Sequence, residues 1–280
     1  MDNIVPAPAA NQWRAEQSHS AAWADTPEFR RRRHDMVRQQ IVARGIRNPQ
    51  LIRAMARLPR QLFTRPEDCH AAYGDQALPS DHGQTISQPL IVAVMTAQLQ
   101  IQPGQRILEI GTGTGYQTAL LAMLCAQVYT VEYVPELSAA AQARLQQLGL
   151  DNIHYCIGDG SMGWEEHGLY DGILVTAGAA VVPEPLIQQL ADGGKLIIPI
   201  GNQSRQILQS VERHGQIIRT ENILDCRFVP LLGEHGWHQW PMSRCSANFP
   251  ICAAIKYATT GRAGGYMGNG VSGRYFRSIA

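Results

Sequence analysis

Ile107-Leu108-Glu109-Ile110-Gly111-Thr112-Gly113-Thr114-Gly115-Tyr116 is the stretch that decides the fold. An apolar run carrying one acidic residue breaks into alternating glycines and then enters a helix-like segment. That order describes a buried parallel strand delivering the chain to a small-molecule cofactor. Glycine permits the sharp turn and lets a ligand approach closer than a Cβ would allow. A dinucleotide fingerprint requires G-x-G-x-x-G, and its last glycine would fall at Tyr116. The loop therefore favours a nucleoside without a pyrophosphate, and S-adenosylmethionine is the common cofactor of that kind.

Outward from this loop the pattern is regular. Strands are expected over 106–110, 128–132, 153–157, 171–176 and 195–200, with helices over 116–125, 135–148 and 185–190. Gly193-Gly194 reads as the turn before the last of these strands. Strands alternating with helices imply an α/β fold with a doubly wound, mostly parallel, Rossmann-like sheet covered on both faces. Ile207 to Val211 and Gln216 to Ile223, split by His214-Gly215, add a C-terminal antiparallel hairpin.

N-terminal helices precede the sheet. Met36, Val37, Ile41 and Val42 suggest an amphipathic helix stopped by Gly45, and Asn48-Pro49 reads as an N-cap followed by proline at the first helical position. The basic run Arg30 to Arg33 reads as a solvated helix face in preference to a patch for an anionic partner. Residues 64–89 are rich in Gly, Pro, Asp and Ser with little periodicity, and long irregular segments inside compact domains are commonly functional. A helix-like run from Leu90 to Leu99 follows. The expected organisation is a disordered leader over 1–26, a catalytic domain over 27–237 and a poorly ordered, Gly-rich tail over 238–280. Within the domain, 27–100 carries the N-terminal helices and a substrate or lid segment, and 101–237 carries the cofactor-binding sheet.

The 280 residues have a formal net charge of +1, so nothing global draws the chain to nucleic acid or membrane. The six cysteines show neither a C-x-x-C pair nor a neighbouring His at ligand spacing, which points to a reducing, cytoplasmic setting without a structural metal. No segment approaches the roughly 20 apolar residues that span a bilayer, and the N-terminus lacks the pattern of a secretory signal.

Three acidic residues sit where the strands meet their loops. Glu132 ends the second strand, about twenty residues past the first glycine, where it could accept hydrogen bonds from ribose hydroxyls. Asp159, within Gly158-Asp159-Gly160, could accept from an adenine amino group. Glu109 could face the amino group of a methionine moiety. Each alone has a plainer reading: a solvated loop residue, a turn former, a tight turn. Together, at successive strand ends, they point to an adenosyl ligand.

Gly83-Gln84-Thr85-Ile86-Ser87-Gln88-Pro89 and Leu108-Glu109-Ile110-Gly111-Thr112-Gly113-Thr114-Gly115-Tyr116-Gln117-Thr118 resemble the protein-L-isoaspartate O-methyltransferases. So do Gly158-Asp159-Gly160, Val181-Val182-Pro183, Gly193-Gly194-Lys195-Leu196 with Pro199-Ile200-Gly201, and Arg227-Phe228-Val229-Pro230-Leu231, in family order from about residue 35 to 237. The segment Thr176-Ala177-Gly178-Ala179-Ala180 departs from the family in lacking a proline before Val-Val-Pro. The resemblance implies a class I methyltransferase that uses S-adenosylmethionine to methylate the free α-carboxylate of L-isoaspartyl residues in damaged proteins, starting their repair through a methyl ester and succinimide. It implies Ser87 as the active-site serine, and Thr85, Ser87, Glu109, Gly111, Gly113, Gly115, Glu132, Asp159 and Gly160 around the cofactor. Thr85 and Phe228, Val229, Pro230 and Leu231 would hold the substrate. Partners would be damaged proteins or peptides, with no nucleic acid and no membrane, and the enzyme would act as a monomer. The residues leave open a methyltransferase for another carboxylate or a small molecule, an NAD-binding oxidoreductase and a noncatalytic adenosyl-binding protein. Of these, Tyr116 argues against the NAD reading, and the segments around Ser87 and Val229-Pro230 decide between the methyltransferases.

Overall fold

Arg106–Ile110 forms a strand buried along nearly its whole length, and the sheet is built outward from it. The computed structural model describes residues 25–237. In chain order, a two-residue pair, β1 (Leu78–Pro79) and β2 (Thr85–Ile86), precedes β3 (Arg106–Ile110), β4 (Gln127–Glu132), β5 (Ile153–Ile157), β6 (Tyr170–Val175), β7 (Leu190–Gly201), β8 (Gln206–His214) and β9 (Ile217–Cys226). Seven strands make one sheet in the order β5-β4-β3-β6-β7-β8-β9. Pairing is parallel from β5 through β7 and antiparallel for β7–β8 and β8–β9. The chain leaves β3 towards β4 on one side and returns beside β3 as β6 on the other. The carboxyl ends of β3, β4 and β6 therefore border a crevice where the winding reverses, the usual ligand position in open α/β sheets.

The helices are α1 (Pro27–Met36), α2 (Pro49–Arg57), α3 (Pro89–Leu99), α4 (Tyr116–Ala122), α5 (Pro135–Gln147) and α6 (Glu184–Gln188). The doubly wound sheet, its hairpin and the N-terminal helices stand as expected, and β3 and β5 begin and end where the sequence places them. The helix running from α1 continues through a π stretch (Val37–Ile41) and a 3-10 turn (Val42–Arg44) and stops at Gly45, whose φ of 97° is left-handed. α3 is apolar and buried almost all round, as a helix must be when it is enclosed between the sheet and other helices.

Three expectations change. Gly193-Gly194 is not a turn before a strand: it lies inside β7, where Tyr170 pairs with Leu190 but Gly172 with Lys195. The extra residues bulge out, and Gly193 takes a φ of 76° to allow it. The basic run is not uniformly solvated. Arg33 falls on the same helix face as Phe29 and Met36 and is 3% exposed, with its guanidinium bonded to the Asp25 carboxylate at 2.9 and 3.2 Å and to Ala56 O at 2.8 Å. The leader over 1–26 and the tail over 238–280 lie outside the described residues, except for Asp25 and Thr26. These two belong to the fold, since Thr26 Oγ1 accepts from Phe29 N and Asp25 pairs with Arg33.

The Asn48 side chain accepts from Gln50 N and Leu51 N, both at 3.0 Å, and so caps α2 as its position before Pro49 suggests. Asn48→Ala is expected to lower stability by ~1 kcal/mol, read as a lower urea midpoint with an unchanged denaturant slope.

Candidate active site

The loop after β3 is held from both sides. Gly111 takes a φ of 93°, and a Cβ there would collide with the Thr176 hydroxyl, which itself donates to Gly111 O at 2.7 Å and contacts Ile110 O at 3.0 Å. On the other side, Glu132 at the end of β4 accepts from Gly113 N at 2.8 Å and from Val134 N at 3.0 Å. Arg144 on α5 donates to Thr114 O at 2.6 Å. Gly113, at φ 53°, has no atom within 4 Å of where a Cβ would stand.

These groups border a cavity of about 960 Å³, counting its open mouth. Its wall includes Thr85 and Ser87, Gly111 and Gly113, Tyr116, Glu132, Gly160, Thr176, and Val229 to Leu232. Among the described residues the wall contains no Lys, Arg, His or Cys. An ionised carboxylate has about four acceptor positions, so Glu132 keeps about two for a ligand after binding both amides. Open space over Gly113 and the remaining acceptor capacity on Glu132 fit a nucleoside ligand.

Ser87 sits between two fixed elements. Before it, β2 pairs with β1, with Leu78 opposite Ile86. After it, Gln88 donates to the Asp75 carboxylate at 2.7 Å and Pro89 opens α3. Its main-chain oxygen accepts from Arg60 Nη2 at 2.7 Å, while its hydroxyl has no partner among the described residues. Arg60 is fully buried, donates also to Ala72 O at 2.7 Å, and lies 4.7 Å from the centroid of the Tyr116 ring. Burial lowers its pKa from the ordinary value of a guanidinium, opposed by the nearby phenols. Sequence reasoning missed Arg60: it is a lone cation after Pro59, with no periodic or motif signal. It read Tyr116 only as a missing glycine, whereas the ring is buried, lines the cavity and meets Phe63 edge-on at 5.3 Å.

Thr85, Ser87, Gly111, Gly113, Glu132, Gly160, Val229, Pro230 and Leu231 come together around the cavity. Four expected residues do not line it. Glu109 is fully buried beneath the loop, where one of its carboxyl oxygens accepts from Thr118 Oγ1 at 2.6 Å and Thr130 Oγ1 at 2.8 Å. It braces α4 against β4 through Oε2, while Oε1 has no partner among the described residues. Gly115 is needed for another reason: its φ is 87°, and a Cβ would press on Ala141 and Leu145 of α5. The Asp159 carboxylate turns back onto the chain, accepting from Ser161 N, Ser161 Oγ and Glu234 N. Phe228 packs towards the core, with its N–H donating to Gln206 Oε1 at 2.7 Å. The backbone beside it is also engaged, since Gly178 N donates to Val229 O and Leu231 N to Gly178 O, each at 2.8 Å.

The protein-L-isoaspartate(D-aspartate) O-methyltransferase family matches the chain over residues 31–236. The protein-L-isoaspartate O-methyltransferase of Dictyoglomus thermophilum is 46% identical over 213 residues, 76% of this chain and 96% of its own length. That of Syntrophus aciditrophicus is 48% identical over 212 residues, covering 75% and 97%. Among solved structures, a protein-L-isoaspartate O-methyltransferase superposes with a TM-score of 0.65 at 28% identity, over 74% of this chain and 66% of that one. A Plasmodium falciparum structure described under the same activity, in complex with S-adenosyl-L-homocysteine, gives 0.61 at 26% identity, over 71% and 98%.

Burial pushes the Glu109 carboxyl up to about 8, against the Thr118 and Thr130 hydroxyls that favour its ionised form. A carboxyl that binds its proton more tightly when folded loses stability as pH rises from its unfolded value to its folded one. Glu109→Gln, which imitates the protonated form, is therefore expected to lose less stability than the parent between about pH 4.5 and 8, read from urea midpoints across that range.

Proposed function

The chain belongs to the protein-L-isoaspartate(D-aspartate) O-methyltransferase family, and from that premise we propose how its own residues serve the reaction. The enzyme methylates isoaspartyl residues of damaged proteins with S-adenosylmethionine as donor. The cofactor supplies an electrophilic methyl group carried on a sulfonium. Gly111 and Gly113 give it backbone-close access, Glu132 receives the ribose hydroxyls, and Gly160 flanks the purine. One observation carries the assignment of the reacting end: the unpartnered Ser87 hydroxyl stands in the cavity wall on a backbone fixed from three sides.

The nucleophile comes with the substrate. A free carboxyl has a pKa of about 4 and is ionised at neutral pH, so no general base is required. Ser87 acts as a positioner: its hydroxyl donates to one carboxylate oxygen and leaves the other to attack. Apolar wall residues such as Val92, Met95, Ile110 and Leu231 keep water out. A dry site favours a transition state in which opposite charges shrink, because water stabilises the separated charges more. Alignment along the transfer path adds several kcal/mol.

Val229 to Leu231 form the rim that meets the damaged polypeptide. Gly178 takes up Val229 O and Leu231 N, and Pro230 has no N–H of its own, so the rim holds substrate through the Pro230 carbonyl and apolar contact. Such a rim reads little side-chain identity, and broad tolerance for flanking sequence follows. The free thiols of Cys69, Cys125, Cys156 and Cys226 agree with a reducing, cytoplasmic setting. No helix among the described residues is long and apolar enough to cross a membrane.

Tritiated-methyl transfer to matched peptides is expected to label the isoaspartyl form and leave the aspartyl form unlabelled; equal labelling of the two sinks the substrate assignment. Ser87→Ala is expected to lower turnover by one to three powers of ten, roughly 1.4 to 4 kcal/mol. Full activity, or a covalent adduct on Ser87, would refute the positioning role.

A further inference from the structure

After β9 the chain passes along the cavity rim and then folds back as a strap, Leu231 to Trp237. Its attachment is concentrated on two neighbouring residues. The Asp159 carboxylate accepts from Glu234 N at 2.7 Å, and Ser161 Oγ accepts from His235 N at 3.0 Å. Ser161 is fully buried and donates its hydroxyl to Asp159 at 2.6 Å, so the two side chains form one clamp. Gly233 sits so close that a Cβ there would overlap the Asp159 carboxylate. The far end of the strap closes on the rim itself: Trp237 N donates to Leu231 O at 2.8 Å, and Trp237 Nε1 donates to Gly178 O at 2.9 Å. Gly178 is the residue to which Val229 and Leu231 are pinned.

Asp159 thus stands between two sites. Gly160, its neighbour, lines the cavity at the end assigned above to the purine. Three protein donors reach the carboxylate, Ser161 N and Oγ at one oxygen and Glu234 N at the other, and since the side chain itself does not line the cavity, a ligand acts on it through Gly160. Resting on that assignment of the cofactor, we propose that Asp159 and Ser161 are positioning residues that couple cofactor binding to the placement of the substrate rim. A ligand that packs on Gly160 and fixes the Asp159–Ser161 turn removes the ordering entropy that strap docking otherwise costs. The docked strap, through Trp237 and Gly178, sets Val229 to Leu231 in place for the polypeptide. Coupling of this kind is reciprocal, so a docked peptide also tightens the cofactor.

Hydrogen exchange of the full chain, with and without saturating S-adenosylhomocysteine, tests the coupling. In the parent protein the ligand is expected to slow exchange at the Glu234, His235 and Trp237 amides by about tenfold or more. Ser161→Ala removes the acceptor of His235 N but leaves the Asp159 acceptors in place. It should lose most of the added protection, weaken S-adenosylhomocysteine by about the same tenfold that reciprocity requires, and raise KM for an isoaspartyl peptide about tenfold with kcat within about threefold. Gly233→Ala, which lifts the strap without altering the buried serine, should give the same split and stands in if Ser161→Ala does not fold. No ligand-dependent slowing in the parent overturns the proposal. So does a peptide KM within about twofold of the parent, or a parallel loss of kcat and ligand affinity, which is the mark of a merely structural role. A parent that binds S-adenosylhomocysteine yet methylates no isoaspartyl peptide refutes the functional reading instead, while the exchange result still decides the coupling.

Discussion

A carboxylate at the end of one strand holds the loop at the end of its neighbour, and the site is arranged around that bond. Glu132 takes the Gly113 amide at 2.8 Å, so the chain leaving β3 is drawn towards β4 as it turns. On the other flank Thr176, just beyond β6, occupies the space where Gly111 would carry a Cβ. A loop pinned from the strands on both sides cannot sag into the crevice that those strands create. The crevice therefore exists before any ligand arrives, and its walls need little reorganisation on binding. A side chain at Gly111 would force Thr176 away and lose both constraints together.

The second strut lies under the loop. Glu109 joins Thr118 of α4 to Thr130 of β4, and Thr130 lies 2.7 Å from the Thr112 hydroxyl in the loop. A fully buried carboxyl is tolerated in such a place because burial favours its neutral form. Glu132, by contrast, faces the cavity and bonds backbone amides, which suit a charged acceptor. Two acidic residues on adjacent strands thus serve the same loop from below and from the side.

Much of this was legible in the residues. The alternation of apolar strands with helices locates the sheet, and the glycine spacing locates the loop, because each rests on a local rule. For Glu109 the bracing role was not legible, because β3 is buried on both faces. In such a strand nothing in the alternation tells which side a polar residue takes. Asp159 could be read as a turn former or as a ligand group, and its carboxylate is bound by Ser161 within the turn and by Glu234 from 75 residues away. No local pattern announces that last bond. Gly193-Gly194 looked like a turn because glycine pairs usually are; the register of β6 against β7, a long-range property, makes it a bulge. Arg33 and Arg60 escaped for the same reason, since their partners are distant in sequence.

Those two arginines show how one segment handles buried charge in two ways. Arg33 meets a carboxylate, Asp25, and the pair is close to electrically balanced. Arg60 meets only main-chain oxygens and the face of Tyr116, and no carboxylate pairs with it among the described residues. Carbonyl dipoles and a π face moderate the desolvation of a guanidinium without cancelling its charge. The uncancelled charge stands behind Ser87, and among the described residues the cavity wall contains no cation. Low-polarity surroundings screen it weakly, so an anion arriving at Ser87 finds a favourable potential. A lysine in the wall would supply the same sign of charge, but it would pair with the incoming carboxylate and hold it. A guanidinium set one layer back favours the anion's presence while leaving its oxygens free.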